Sequence, residues 1–171
     1  MKIPRTVKDS ILKRLKSGGK IVIIYGPRQV GKTTLGQEII AGWQGKTLAV
    51  SADELRYIEV LSCRDSIRLK SLVSGYDLLF IDEAQRVPDI GINLKILHDQ
   101  IPELRILVTG SSSFDLANSV CEPLTGRTWT CNLHPVSFVE LSGLFNRFEL
   151  DSQLEERLVF GSYPEVFSIG N

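Results

Sequence analysis

The chain has 171 residues, 43% apolar and 23% charged, the composition of one globular domain with a real core. Lys plus Arg and Asp plus Glu number 20 each, so the formal net charge is zero and no bulk field favours nucleic acid or an anionic membrane surface. No apolar run is long enough to span a bilayer, and Met1-Lys2-Ile3-Pro4-Arg5 is not followed by the apolar stretch of a signal peptide. Cys63, Cys121 and Cys131 lack C-x-x-C spacing, and His98 and His134 lie far apart. The expectation is a cytoplasmic protein with reduced thiols, no membrane contact and no histidine-based metal site.

In chain order, residues 6–17 read as a helix, with Val7, Ile11, Leu12 and Leu15 on one face and Lys8, Lys13, Arg14 and Lys16 on the other. Gly18-Gly19 ends it. Residues 20–25 are a short β-branched apolar run, the pattern of a buried parallel strand. Then comes Gly26-Pro27-Arg28-Gln29-Val30-Gly31-Lys32-Thr33, which fits the phosphate-binding pattern G-x-x-x-x-G-K-[ST] at every fixed position. A helix follows, with Leu35, Ile39, Ile40 and Trp43 at helical spacing. The motif thus sits between a strand and a helix, the context it requires. Two glycines let the backbone bend and bring its N–H groups onto phosphate oxygens. The helix N-terminus, opening on Lys32, Thr33 and Thr34, aims its positive end at the same anion. Lys32 can reach the β- and γ-phosphates, and the Thr33 hydroxyl can ligate Mg²⁺.

Residues 46–51 read as a second strand, residues 52–60 and 65–73 as one or two helices, and residues 74–76 as a turn. Residues 77–83 form a third strand that closes on Asp82 and Glu83. Ligands of open α/β sheets bind at the C-terminal ends of the strands. Asp82 is the natural carboxylate for Mg²⁺, and Glu83 the general base for an attacking water. Adjacent strand residues face opposite ways, so Glu83 must stand where the strand is already turning. Val87-Pro88-Asp89 is read as the cap of a helix bearing Ile90, Leu94, Leu97 and Ile101, stopped by Pro102. Residues 104–110 form a fourth strand, with Thr109 at its tip and Ser111, Ser112 and Ser113 behind it. Thr109 is expected to read the γ-phosphate or align the water. A short helical piece is expected at 114–118. Arg127 follows the turn Leu124-Thr125-Gly126 and is a candidate for neutralising transition-state charge, in cis or from a neighbouring subunit. Arg28 is its rival, with a side chain expected to point outward. Residues 127–133 alternate as a fifth strand. Ser137, with Glu140 three residues on, opens a short helix, and a last helix is expected at 150–160 before an apolar, turn-rich tail.

With these residues in hand the chain resembles the AAA+ superfamily, and more closely the bacterial and archaeal "ATP-binding protein" ATPases. The resemblance rests on an ordered set: Gly26 to Leu35, Ile81-Asp82-Glu83-Ala84-Gln85, Thr109 to Ser113, Leu124 to Arg127 and Gly161 to Glu165. It implies a three-layer α/β/α P-loop NTPase with a five-stranded parallel sheet in the order 5-1-4-3-2. It also implies ATP rather than GTP and Thr109 in the place called sensor 1. Residues 1–134 would be the ATPase core. Residues 135–171 would be a helical extension, either a lid or the start of a further C-terminal domain.

The first functional reading is therefore a Mg²⁺-dependent ATPase. A nucleotide-gated binding module with little turnover is the second. A DNA-remodelling ATPase, gripping phosphates through Arg64, Arg68, Lys70 and the N-terminal basic face, is the third. A homo-oligomer and a protein or DNA partner are compatible with each.

Overall fold

The structure is a computed structural model and describes residues 3–111 and 123–167. The expected helical piece at 114–118, together with Ser112, Ser113 and Cys121, lies outside the described residues.

The described chain runs α1 (Lys8–Ser17), β1 (Ile21–Gly26), α2 (Lys32–Ala41), β2 (Thr47–Ser51), α3 (Leu55–Leu61), α4 (Ser66–Val73), β3 (Leu78–Asp82), a 3₁₀ turn (Ala84–Arg86), α5 (Ile90–Gln100), β4 (Arg105–Ser111) and β5 (Thr128–Asn132). Three short helices follow: α6 (Phe138–Ser142), α7 (Arg147–Ser152) and α8 (Leu154–Phe160). The five strands form one sheet in the order β2-β3-β4-β1-β5, with every pairing parallel. Read from the other edge, this is the expected order 5-1-4-3-2.

The strands look uniformly apolar in sequence because both faces of the sheet are covered. Alternate residues of β1 divide between two cores. Ile21, Ile23 and Tyr25 join Ile106, Val108, Leu79 and Ile81 beneath α3, α4 and α5. Val22 and Ile24 join Leu107, Leu78 and Phe80 beneath α1 and α2, through Ile11, Leu15, Leu35 and Ile39. The result is three layers. Contact between α2 and the sheet is unusually close. A Cβ at Gly36 would lie 2.4 Å from Cζ of Phe80, so the helix rests directly on that ring. A third, smaller cluster of Val136, Leu141 and Leu150, with Ile3, Phe145 and Phe167 against it, gathers α6 and α7.

Several local expectations needed correction. The first helix begins at Lys8. Asp89 does not cap α5 with its side chain. Its backbone is left-handed (φ 54°) and its carboxylate is 2.7 Å from the Arg64 guanidinium. Asp65 is a true cap, accepting from the Ile67 and Arg68 amides that open α4. The single helix expected at 150–160 is two, α7 and α8, meeting at Gln153. An Asn146/Glu149 capping box starts α7 earlier than the apolar pattern suggests. The Ser137/Glu140 box does open α6 as read. Cys63 and Cys131 are free thiols, and burial pushes the Cys131 thiol up.

Ile24 lies wholly buried in the central strand. Ile24→Ala removes its packing against α2 and leaves a cavity, so urea unfolding should show a loss of about 2–5 kcal/mol. A loss well under about 1 kcal/mol would contradict the packing described.

Candidate active site

In a parallel sheet the C-terminal ends of all strands lie along one edge. Register pairs Ile24 of β1 with Thr109 of β4, and Ile81 of β3 with Val108. The loop after β1, the end of β3 and the tip of β4 are therefore neighbours.

The loop from Gly26 to Gly31 turns through left-handed backbone at Gln29 (φ 62°) and Gly31 (φ 95°). At Gly31 the dihedral itself calls for glycine. Gly26 is required for another reason. A Cβ there would meet the Leu133 carbonyl oxygen at 2.5 Å, so the end of β5 closes on the start of the loop. Pro27 is half-buried, Val30 is buried, and Arg28, Gln29 and Thr34 are exposed. Arg28 thus points outward, as expected. Lys32 opens α2 and is buried, its ammonium donating to the carbonyls of Gly26 (3.0 Å) and Pro27 (2.9 Å). The cation is folded back across its own loop.

Thr33 and Asp82, 49 residues apart, meet directly. The Thr33 hydroxyl lies 2.8 Å and 3.0 Å from the two Asp82 carboxylate oxygens. Thr109 completes the group. Its hydroxyl donates to Asp82 Oδ1 and accepts the Glu83 amide at 3.1 Å. Thr109 is wholly buried, and its hydroxyl both donates and accepts within the protein. It is thus placed to orient the carboxylate, not to face a phosphate, which corrects the role expected of it.

Glu83 stands where the strand turns, as the alternation argument required. Its φ is 56°, ψ 41°, a left-handed conformation rare for a side-chain-bearing residue. The Gln85 amide donates to the Glu83 carboxylate, and the Gln85 carbonyl oxygen accepts the Ser111 amide at 3.2 Å. Gln85 thereby ties the carboxylate to the tip of β4. Sequence reasoning quoted Gln85 in a motif but gave it no task.

Arg127 is elsewhere. Its carbonyl accepts the Ile21 amide at the beginning of β1, whereas the phosphate loop follows the end of β1. That strand separates them by roughly 16 Å at about 3.3 Å per residue. Its guanidinium makes a two-pronged contact with Asp99, at 2.8 and 3.1 Å. A role for Arg127 at its own chain's site is therefore withdrawn. The basic residues considered for DNA do not form one patch either. Lys8, Lys13, Arg14 and Lys16 lie on α1, on one face of the sheet, and Arg68 and Lys70 on α4, on the other. Lys8 pairs with Glu38 and Arg64 with Asp89.

Thr33 and Asp82 present hard oxygen donors with a single carboxylate, the set Mg²⁺ uses when phosphates and water fill its other positions. Among the described residues, no group of three or more His, Cys, Asp or Glu side chains could hold a metal by itself.

A family model described as an AAA domain matches residues 18–142, which include every residue of this constellation. The chain belongs to this AAA domain family. Two relatives, uncharacterized proteins of Mycobacterium bovis and Mycobacterium tuberculosis, are each 34% identical to 98% of the chain. The chain spans only 35% of the length of these relatives. Among solved structures, the AAA domain is similar in fold to a signal transduction ATPase with numerous domains from Pyrococcus horikoshii (TM-score 0.62, 15% identity, 96% of this chain and 29% of that one). It also resembles a Walker-type ATPase of Pyrococcus abyssi (TM-score 0.61, 16% identity, 81% and 55%). AMPPCP-bound DnaA from Aquifex aeolicus gives a TM-score of 0.55 at 18% identity, covering 87% and 54%. The expected AAA+ P-loop architecture is thus the architecture found. No helix among the described residues is long and apolar enough to cross a membrane.

The Arg127 contact, seconded by the His98 ring, holds the Asp99 carboxyl down from its ordinary 3.8 to about 2. A lowered carboxylate pKa stabilises the fold above the ordinary value, and that contribution disappears as pH falls through about 2. NMR titration should show the Asp99 carboxyl changing near pH 2. In Arg127→Ala it should titrate nearer its ordinary value, and an unmoved midpoint would mean the ion pair is not what lowers it.

Proposed function

We propose that this AAA domain binds ATP with Mg²⁺ and hydrolyses it to ADP and phosphate. The observation that carries the reading is the meeting of Thr33 with Asp82 beside a left-handed, glycine-bent loop whose lysine is buried. The likeness in fold to a DnaA structure holding AMPPCP supports a triphosphate at this edge of the sheet. On this reading, the loop amides and the positive end of α2 receive the phosphate oxygens. Lys32 exchanges its two carbonyl partners for the β- and γ-phosphates, a stronger, charge-assisted pairing. Thr33 and Asp82 would hold Mg²⁺, which when bound offsets charge on the phosphates. Glu83 takes a proton from water as the water oxygen bonds to the γ-phosphorus, and the β–γ bridging oxygen leaves with ADP. Thr109 keeps Asp82 in orientation. Arg127, remote from its own site, would serve only a neighbouring copy.

One observation favours a second reading, a nucleotide-gated switch with little turnover. The Glu83 carboxylate is already held by Gln85, a resting arrangement in which the base is occupied. A single-turnover assay separates the two: rapid loss of γ-phosphate supports the enzyme, slow loss the switch. The work driven by the nucleotide, and the protein or DNA partner it serves, belong to whole proteins of which this chain matches about a third.

Glu83→Gln should retain ATP binding while turnover falls by roughly 10²–10⁴-fold, the usual range for losing a general base. Unchanged turnover would remove Glu83 from the chemistry. Lys32→Ala should weaken ATP binding about ten- to a hundredfold, as expected for a lost hydrogen bond to a charged group. A titration with fluorescent ATP and Mg²⁺ measures binding by both variants, and phosphate release measures turnover.

A further inference from the structure

A second charged constellation lies against the outer side of the phosphate loop. Arg5 and Glu140, 135 residues apart, form an ion pair at 3.1 Å whose side chains are only 9% and 5% exposed. Such a pair is costly to bury unless its remaining hydrogen-bonding capacity is met. Here it is met. The Glu140 carboxylate accepts the Thr6 amide (2.9 Å) and the Ser137 amide (2.8 Å), with the hydroxyls of both residues in addition. Burial pushes this carboxyl up, but the two amides and Arg5 outweigh burial and hold it below the usual range.

The guanidinium has two further contacts. One nitrogen donates to the Val30 carbonyl at 2.8 Å, inside the phosphate loop, and the other to the His134 carbonyl just past β5. A Cβ at Gly31 would lie 3.6 Å from the Arg5 guanidinium and 3.7 Å from the Pro164 ring. The Val136 amide, at 2.8 Å from the Ser162 carbonyl, ties that last segment to the same place. The arm before α1, the phosphate loop, the β5–α6 junction and the tail therefore converge on one fork.

We infer that Arg5 is a positioning residue for the phosphate loop, with Glu140 as its anchor. Grip on the triphosphate then depends on how the 134–140 segment is seated, although neither residue meets the nucleotide. The inference rests on the reading of the loop as an ATP site. The fork is what matters: a lysine can keep the ion pair with Glu140, but it cannot also reach two carbonyls in the guanidinium plane.

The test compares Arg5→Ala, Arg5→Lys and Glu140→Gln with the unaltered chain by fluorescent ATP titration with Mg²⁺, steady-state hydrolysis, thermal melts and amide hydrogen exchange at residues 28–31. Arg5→Ala and Glu140→Gln should raise the Kd and KM for ATP about tenfold while kcat moves by less than about threefold, the pattern of lost uniform binding. A double variant combining Arg5→Ala with Glu140→Gln should be no worse than Arg5→Ala, because the pair acts as one unit. Arg5→Lys should recover the melting temperature but not the affinity. Loop amides should exchange faster in every variant, with no nucleotide present. Should Arg5→Ala fail to fold, Arg5→Lys and Glu140→Gln carry the test. Unaltered Kd together with unaltered loop exchange in the folded variants overturns the inference, as does full recovery of affinity by lysine. If the unaltered chain binds no nucleoside triphosphate, the ATP reading fails instead, and the exchange measurement still decides whether Arg5 holds the loop.

Discussion

The hydrogen bonds between Thr33 and Asp82 are the contact on which the candidate site depends. They join the first residues of α2 to the last residue of β3, two segments that share no local sequence. Only a parallel sheet, with every strand ending along one edge, brings them together without strain. The covering of both sheet faces by helices is therefore part of the site's construction. Removing either core would loosen the strand ends against one another before it changed any residue near the phosphates.

From that contact, polar groups continue along the edge of the sheet. Asp82 accepts from Thr109, Thr109 accepts from the Glu83 amide, and Gln85 joins Glu83 to Ser111. Each group fixes the next, which is how a carboxylate at a strand end is held in one orientation. The left-handed backbone at Glu83 lets two successive acidic residues share one edge of the sheet instead of alternating between the faces of a strand.

Much of this was legible in the sequence because it is written locally. Strand, glycine loop and helix occupy consecutive residues, and the run ending in Asp82 and Glu83 announces a strand end by composition alone. The strand order came with the resemblance to the AAA+ superfamily that this ordered set of motifs carries. What was not legible depends on long-range geometry. The part played by Thr109 follows from its long-range contacts with Asp82 and the Glu83 amide, and spacing does not reveal those. Arg127 could have been excluded by topology. It precedes β5, and in a sheet whose ligands sit at the C-terminal ends, a residue before a strand is at the wrong end. Glu140 was visible only as half of a helix cap, and Arg5 carried no pattern at all. Their pairing spans almost the whole chain.

The seat of Gly36 on the Phe80 ring bears on all of this from behind. That ring belongs to β3, two residues before Asp82, while Gly36 lies three residues after Thr33. Helix and strand are gauged against each other at this seam, out of sight of any ligand. A thicker seam would tip α2 like a lever about its far end, leaving loop and carboxylate each intact in shape but drawing them apart. The missing methyl at residue 36 is in effect the shim that sets how wide the mouth of the site stands.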